Sequence, residues 1–249
     1  MTNLFFKRVL TLLIAIFTLA GCSQRSDRVV AVVVHPTKPN IIYVATEEGV
    51  YKTRDGGQGW MRLTEGLSRI RAMNLVIDPL LPANVFVGTL ADGVYKSPDG
   101  GRRWLSRNTG IQKGTISANV NQLAFDPRDS QTLYAATTVG VFRSMDGGQS
   151  WEERMNKMNE INFIVALAVD PKHPNILYAG TSGGVYRSFD RTESWIKINN
   201  GLVPDDAKMA SMALGVNKLV IDPLLSLIHI SEPTRPERIG GGGVGGGKK

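Results

Sequence analysis

The sequence predicts an all-β fold, a β-propeller of four-stranded antiparallel blades, and three observations carry the prediction. One eight-residue turn recurs four times: Thr53-Arg-Asp55-Gly-Gly57-Gln-Gly-Trp60, Ser97-Pro-Asp99-Gly-Gly101-Arg-Arg-Trp104, Ser144-Met-Asp146-Gly-Gly148-Gln-Ser-Trp151 and Ser188-Phe-Asp190-Arg-Thr192-Glu-Ser-Trp195. Its tryptophans stand 44, 47 and 44 residues apart, a period that marks a repeat architecture. No stretch sustains a 3.6-residue apolar period, and short apolar runs bounded by Gly and Pro follow one another instead. Four short strands in about 45 residues is the size of one propeller blade. About four blades plus the first strand of a fifth are expected over residues 28–224, an array that should not close.

The chain opens with Lys7 and Arg8 ahead of an apolar run from Val9 to Ala20. A bilayer core needs about 20 apolar residues, so this run is too short to span and reads as a secretory leader over residues 1–21. Leu19-Ala20-Gly21-Cys22 closes it and resembles the bacterial lipobox, whose cysteine becomes the lipidated N-terminus. Cys22 is the only cysteine, so no internal disulfide is possible; the alternative to lipidation is a leftover thiol. The lipobox resemblance implies a membrane partner through the lipid anchor, with residues 22–27 as the linker. Ser23 is not the aspartate that retains such lipoproteins at the inner membrane, which by analogy implies sorting to the outer one.

Within the repeat the first element is an apolar run ending at a Pro dipeptide: Val30–Val34 before His35-Pro36, Leu75–Ile77 before Asp78-Pro79, Leu123–Phe125 before Asp126-Pro127, Ala166–Val169 before Asp170-Pro171, and Leu219–Ile221 before Asp222-Pro223. Such runs predict strands buried on both faces, ended where proline removes a ladder donor. The second strand is expected at Ile41–Thr46, Val85–Thr89, Leu133–Thr137 and Ile176–Thr181. The third is the pair Val50-Tyr51, Val94-Tyr95, Val141-Phe142 or Val185-Tyr186, and the tryptophan opens the fourth, as in Trp60–Leu63 and Trp195–Ile198. Glycine-bearing links at Glu47-Glu-Gly49, Asp92-Gly93 and Gly183-Gly184 suit tight hairpins. In the repeated turn the aspartate can accept backbone N–H groups, the Ser or Thr hydroxyl can add a cap, and glycine can take the left-handed position. The tryptophan can fill space between sheets, so folding alone accounts for every component.

Leu225-Ser-Leu-Ile-His-Ile-Ser-Glu-Pro-Thr-Arg235 resembles a frame translation of the transposase mosaic-end adapter used in sequencing libraries, and the glycines from Gly240 to Gly247 follow it. Residues 225–249 are therefore expected to be an adapter-derived, disordered tail; a natural Gly-rich tail is the other reading. The formal charge of +7 includes +2 from Lys7 and Arg8 and +2 from residues 225–249. About +3 remains between, which argues against a nucleic-acid partner.

The repeated turn resembles the Asp-box, or bacterial neuraminidase repeat, and the surrounding pattern resembles sortilin-like and photosystem II assembly-factor-like propellers. The resemblance implies structural roles for Thr53, Asp55, Gly57, Trp60, Ser97, Asp99, Gly101, Trp104, Ser144, Asp146, Gly148, Trp151, Ser188, Asp190 and Trp195, on the periphery of the fold. The fourth copy carries Thr192 where the others have glycine, so its turn is expected to be strained or reshaped.

A sialidase would need an arginine triad and an Arg-Ile-Pro-type motif, and Ser68-Arg69-Ile70-Arg71 lacks the proline. A xyloglucanase-like hydrolase would need two carboxylates facing across a cleft; Glu47, Glu48, Asp92, Asp205 and Asp206 sit in no distinctive motif. His35 and His173 lack neighbours at metal-ligand spacing, and no phosphate-binding or nucleotide motif occurs. No catalytic residue, metal or cofactor is assigned. The long loops Ser106–Gln122 and Asn199–Lys218 are where a partner could bind. Arg69, Arg71, Arg102, Arg103 and Arg107 are the candidate partner-binding group, by analogy with the arginine patch of the photosystem assembly factors. The expectation is an envelope-anchored, non-catalytic scaffold for a protein partner, with a carbohydrate-active hydrolase acting on polysaccharide as the alternative.

Overall fold

The computed structural model describes residues 27–63, 65–67, 70–112, 114–158, 163–202, 215–222 and 228–231. The leader with Cys22, Arg69, most of the loop Asn199–Lys218 and the tail apart from 228–231 lie outside them. Blade 1 comprises β1 (Val29–Val34), β2 (Ile42–Thr46), β3 (Gly49–Thr53) and β4 (Met61–Leu63). Blade 2 holds β5 (Ala72–Ile77), β6 (Val85–Thr89), β7 (Val94–Ser97) and β8 (Leu105–Ser106). Blade 3 holds β9 (Val120–Asp126), β10 (Asp129–Thr137), β11 (Val141–Ser144) and β12 (Glu152–Glu153). Blade 4 holds β13 (Ile164–Val169), β14 (Leu177–Thr181), β15 (Gly184–Ser188) and β16 (Ile196–Lys197). Each blade is an antiparallel meander with strands in chain order. A single 3-10 turn, Ile116–Ala118, is the only helical element among the described residues.

A further hairpin, β17 (Lys218–Ile221) with β18 (Ile228–Ser231), follows blade 4. Its second strand falls within the stretch expected to be a disordered tail. Leu219↔Ile230 and Ile221↔Ile228 pair in register, so an Ile-His-Ile alternation of strand character finds a partner in β17. The array does not close: the inner strands neighbour one another in the series β1, β5, β9, β13 and β17.

Recurrent local devices set the strand ends. Thr46, Thr89, Thr137 and Thr181 close each β2–β3-type hairpin with a hydroxyl that donates to the carbonyl of Gly49, Gly93, Gly140 or Gly184, at 3.1, 2.8, 2.9 and 2.9 Å. At the other end, the aspartate before each proline is buried and folds back on its own turn. Asp78 accepts from the amides of Leu80 and Leu81, Asp126 from Arg128, and Asp170 from Lys172 and His173. Proline ends the ladder, and the carboxylate satisfies the amides that the turn would leave unpaired.

Burial is distributed between blades rather than within them. One cluster joins Tyr43, Val50 and Leu63 of blade 1 to Leu75, Val85 and Trp104 of blade 2. The same arrangement links Phe86 to Trp151, and Tyr134 to Trp195. Each buried tryptophan removes roughly 200 Å² from water, about 5 kcal/mol gross at 25 cal/mol per Å², which exceeds the net contribution of any one hydrogen bond at the junction. Side-chain amides stitch the inner strands: Asn74 Oδ1 accepts from Leu123 N–H at 3.0 Å and Gln122 Oε1 from Leu167 N–H at 3.1 Å.

Candidate partner-binding surface

The four Asp turns lie between the third and fourth strand of each blade and share one hydrogen-bond pattern. In the first, Thr53 Oγ1 donates to Asp55 Oδ1 at 2.5 Å and accepts from Gly57 N–H at 3.0 Å. Asp55 Oδ1 then accepts from the amides of Gln58 and Gly59 at 2.9 and 3.0 Å. Ser97 with Asp99, Ser144 with Asp146 and Ser188 with Asp190 repeat the pair at 2.8 Å each. The Thr53 hydroxyl and the turn amides hold the Asp55 carboxyl below its ordinary range. Partial burial pushes Asp99, Asp146 and Asp190 up, but donors outweigh it: the Arg103 amide at Asp99, and the Ser150 and Ser194 hydroxyls and amides at the others. All four carboxyls are thus lowered and ionised at neutral pH.

The two residues directly after the aspartate adopt left-handed backbone in every copy. Gly56 and Gly57 have φ of 74° and 103°, Gly100 and Gly101 70° and 92°, Gly147 and Gly148 68° and 83°. In the fourth copy Arg191 and Thr192 take φ of 56° and 76°. The departure noted at Thr192 therefore produces strain with the shape retained, and it extends to Arg191.

Packing explains why the shape is kept. Each turn after the first is received by the blade before it. Lys52 Nζ donates to Gly100 O at 2.7 Å, Lys96 Nζ to Gly147 O at 3.1 Å and Arg143 Nη1 to Arg191 O at 2.7 Å. The next tryptophan's backbone N–H donates to Glu65, Thr109 or Asn156. Its indole N–H reaches Arg107 O from Trp151 and Arg154 O from Trp195, both at 2.9 Å. At the fourth turn Glu193 joins in, pairing with Arg143 at 2.9 Å and Arg154 at 3.0 Å.

The candidate arginines do not form one patch. Arg71 lies at the β2–β3 end, 3.8 Å from Glu47. Arg107 follows β8 at that same end, its N–H on Val94 O. Arg102 and Arg103 occupy the Asp turn at the opposite end of β7, and Arg69 is outside the described residues. Arg102 instead joins a cationic rim from blade 1. Burial lowers the pKa of Lys52, and the charges of Arg54, Arg102 and Lys38 lower it further. Lys52 also stacks on Tyr43, 4.8 Å from the ring centroid, and burial raises the Tyr43 hydroxyl to about 12. Asp27 and Arg28, just before β1, meet Glu47 and Glu48 at the other end of the blade. The rim therefore points away from the end at which the chain enters the propeller.

The long loop after β8 folds back on its own blade: Gly114 N–H donates to Ala91 O, Gly93 N–H to Ala118 O, and Asn119 Oδ1 accepts from Ala91 N–H. Asn108 and Asn199, four residues after their tryptophans, were not singled out by sequence. Each accepts from the third strand, Val94 or Val185, and donates to the hairpin before it, at Asp92 or Gly183. Their common offset from tryptophan is the signal that marks them.

A groove of about 340 Å³ runs beside the inner strands β9, β13 and β17, lined by Gln122, Phe125, Leu167, Val169 and Val220 among others and by no carboxylate. Among the described residues no three His, Cys, Asp or Glu side chains gather as a metal site, and no helix is long and apolar enough to cross a membrane.

Solved structures share this architecture. An ancestral GH74 enzyme superposes with a TM-score of 0.65 at 24% identity, over 79% of this chain and 26% of that one. The extracellular domain of a hybrid two-component system from B. thetaiotaomicron gives 0.62 at 16%, over 86% and 27%. YCF48 from Cyanidioschyzon merolae gives 0.54 at 13%, over 82% and 66%. The chain is a β-propeller. It spans about a quarter of the first two structures' length and two thirds of the third's. No family model matches it, and no curated protein matches it by sequence.

Proposed function

We propose that this chain is an Asp-box propeller lipoprotein, anchored through Cys22 in the cell envelope and serving as a non-catalytic scaffold for a protein partner. One observation carries the reading. The seven repeat aspartates, Asp55, Asp78, Asp99, Asp126, Asp146, Asp170 and Asp190, all accept backbone amides of their own turns. They hold the fold, and beside Lys52 the exposed cations Lys38, Arg54 and Arg102 stand together. The partner surface is the rim formed by Lys38, Arg54 and Arg102, which suits an acidic protein face. Likeness to YCF48 and to a sensor ectodomain is compatible with binding as the propeller's task. The rival is glycoside hydrolysis, which the GH74 likeness favours and which needs a carboxylate pair about 5–9.5 Å apart across a cleft.

A photo-crosslinking amino acid at Arg102, in the chain expressed with its leader, tests the reading. A discrete protein adduct that the same label at Ile196 does not give is expected, together with loss of fatty-acid labelling in Cys22→Ala. Cleavage of xyloglucan by the purified chain, with no adduct, overturns it.

A further inference from the structure

We infer that Leu80 and Leu81, on the β5–β6 turn of blade 2, form the apolar centre of the partner surface. The occupant is an amphipathic acidic segment of the partner protein, with apolar side chains flanked by carboxylates; this rests on the scaffold reading and names what that surface takes. Residues 79–83 read Pro-Leu-Leu-Pro-Ala, with Pro79, Leu80, Leu81 and Ala83 exposed and Pro82 half-buried. Leu80 and Leu81 are 52% and 53% exposed. A single exposed leucine is ordinary, but an unbroken exposed apolar run marks a contact site.

The turn beneath the run is fixed. Asp78, fully buried, accepts the amides of Leu80 and Leu81 at 2.9 Å each, the Asn84 side-chain amide at 3.2 Å and Ser130 Oγ at 2.7 Å. Asn84 N–H closes the turn on Leu81 O at 2.8 Å. The other blades show that this backbone needs no leucine. At the same offset from the proline step, blade 1 has Thr37-Lys38 and blade 4 has Lys172-His173, while the blade 3 turn is shorter. In blade 4 Asp170 accepts the two amides at 2.8 and 3.0 Å, as Asp78 does. Folding therefore accounts for the shape of the blade 2 turn and leaves its two leucines to another task.

Cations stand directly beside the run. Gly100 joins the two: its N–H donates to Ala83 O at 2.8 Å, and its carbonyl accepts Lys52 Nζ at 2.7 Å. Arg102 lies two residues further along the same turn, and Lys38 and Arg54 stand near Lys52. The nearby carboxylates, Asp55 and Asp99, are turned onto amides of their own turns. An apolar strip bordered by exposed cations is complementary to an apolar side chain bordered by carboxylates. The strip supplies buried area, and the cations set orientation. An anionic membrane would match the charge, but this surface lies opposite the end at which the chain enters the propeller. It therefore lies opposite the proposed anchor as well.

The test places a photo-crosslinking amino acid at Ala83 in the full chain, expressed with its leader, and compares it with the label at Arg102. Both labels should give the same protein adduct, and mass spectrometry should map the Ala83 crosslink to a segment with apolar side chains between Asp or Glu residues. With the label at Arg102, the blade 1 pair introduced as Leu80→Thr with Leu81→Lys should lower adduct yield about tenfold. The melting temperature should stay within about 2 °C of the parent. The blade 4 pair, Leu80→Lys with Leu81→His, should act alike and guards against a folding defect in the first variant. Both swaps add a cation, so binding through charge alone would hold or strengthen the adduct. An unchanged or increased yield in folded variants overturns the inference, as does an Ala83 crosslink to lipid or to a segment without carboxylates. An adduct at Arg102 with none at Ala83 overturns it and leaves the scaffold reading standing. No protein adduct at either position overturns both.

Discussion

The junction between blades 3 and 4 differs from the two before it, and the difference separates what glycine does from what packing does. Blades 1–2 and 2–3 meet through a lysine and a Gly-Gly turn; blades 3–4 meet through Arg143 and an Arg191-Thr192 turn with the same left-handed φ values. Glycine makes that backbone cheap, but the receiving surface makes it obligatory. A Cβ on Gly101 would meet Leu63 Cδ1 at 2.4 Å, and one on Gly148 would meet Phe86 Cε1 at 2.6 Å. Blade 3 admits Thr192, fully buried, at the cost of an unpaired Thr192 Oγ1 and an unpaired Tyr134 hydroxyl. Glu193, shared by Arg143 and Arg154, is the compensation at that junction.

The largest expected effect tests whether burial between blades is the main cohesive term. Trp195 is 1% exposed within the blade 3–4 cluster, whereas Trp60, with no described blade before it, is only partly buried. Trp195→Ala should cost about 3–5 kcal/mol and Trp60→Ala about 1 kcal/mol, read from urea unfolding. Equal losses would break the comparison between an internal junction and an open end.

Next comes the cation. Arg143→Met removes donors to Arg191 O and to Glu193 and should cost about 2 kcal/mol. Lys96→Met removes one donor to Gly147 O at 3.1 Å and should cost about 1 kcal/mol. If the two match, Glu193 contributes nothing and the fourth turn has no compensation. Thr192→Gly works in the opposite direction: relief of a left-handed non-glycine residue should stabilise by about 1 kcal/mol, raising the melting temperature by a few degrees. A loss would mean that the buried threonine methyl outweighs the backbone strain.

The strands were legible because each is bounded locally. Apolar runs before Asp-Pro and the Gly-bearing hairpins mark β5, β9, β13 and β17 to within a few residues. Three kinds of bound moved: β10 begins at Asp129, paired with Asp126 across the Pro127 turn, the third strands run on into the Ser or Thr of the turn, and the fourth strands start one residue after the tryptophan, at Met61, Leu105, Glu152 and Ile196. The cations were not legible as a set, because Lys52 and Gly100 are 48 residues apart and neither is unusual in its own repeat. Only alignment of the repeats places Lys52, Lys96, Arg143 and Arg187 in one column. The arginine group misled for the converse reason: nearness in sequence put Arg71, Arg102 and Arg107 together, and the meander carries them to opposite ends of a blade. Arg102 belongs instead with Lys38 and Arg54, from the blade before.

Acid titration gives the smallest effect and the most specific one. The Asp190 carboxyl is lowered from its ordinary 3.8 because hydrogen bonds outweigh its partial burial, and Ser194 supplies both a hydroxyl at 2.6 Å and an amide at 2.9 Å. A carboxyl lowered in the folded state stabilises fully above its unfolded value and loses that contribution as pH falls through the folded one. Ser194→Ala removes the hydroxyl and leaves the amide. It should therefore cost about 0.5 kcal/mol at pH 7, a value kept small by solvent screening at this exposed turn. The gap between variant and parent should shrink once pH falls below the unfolded value and close as pH falls through the folded one. Blade 2 supplies the internal contrast, since Arg103 stands at the Ser194 position and gives Asp99 an amide at 3.0 Å and no hydroxyl. Arg103→Ser adds the hydroxyl but removes the guanidinium charge that also lowers Asp99, so its gap over the same pH range should be smaller than that of Ser194→Ala. A Ser194→Ala gap that persists unchanged to pH 2 would show that the serine acts through packing and not through the carboxylate.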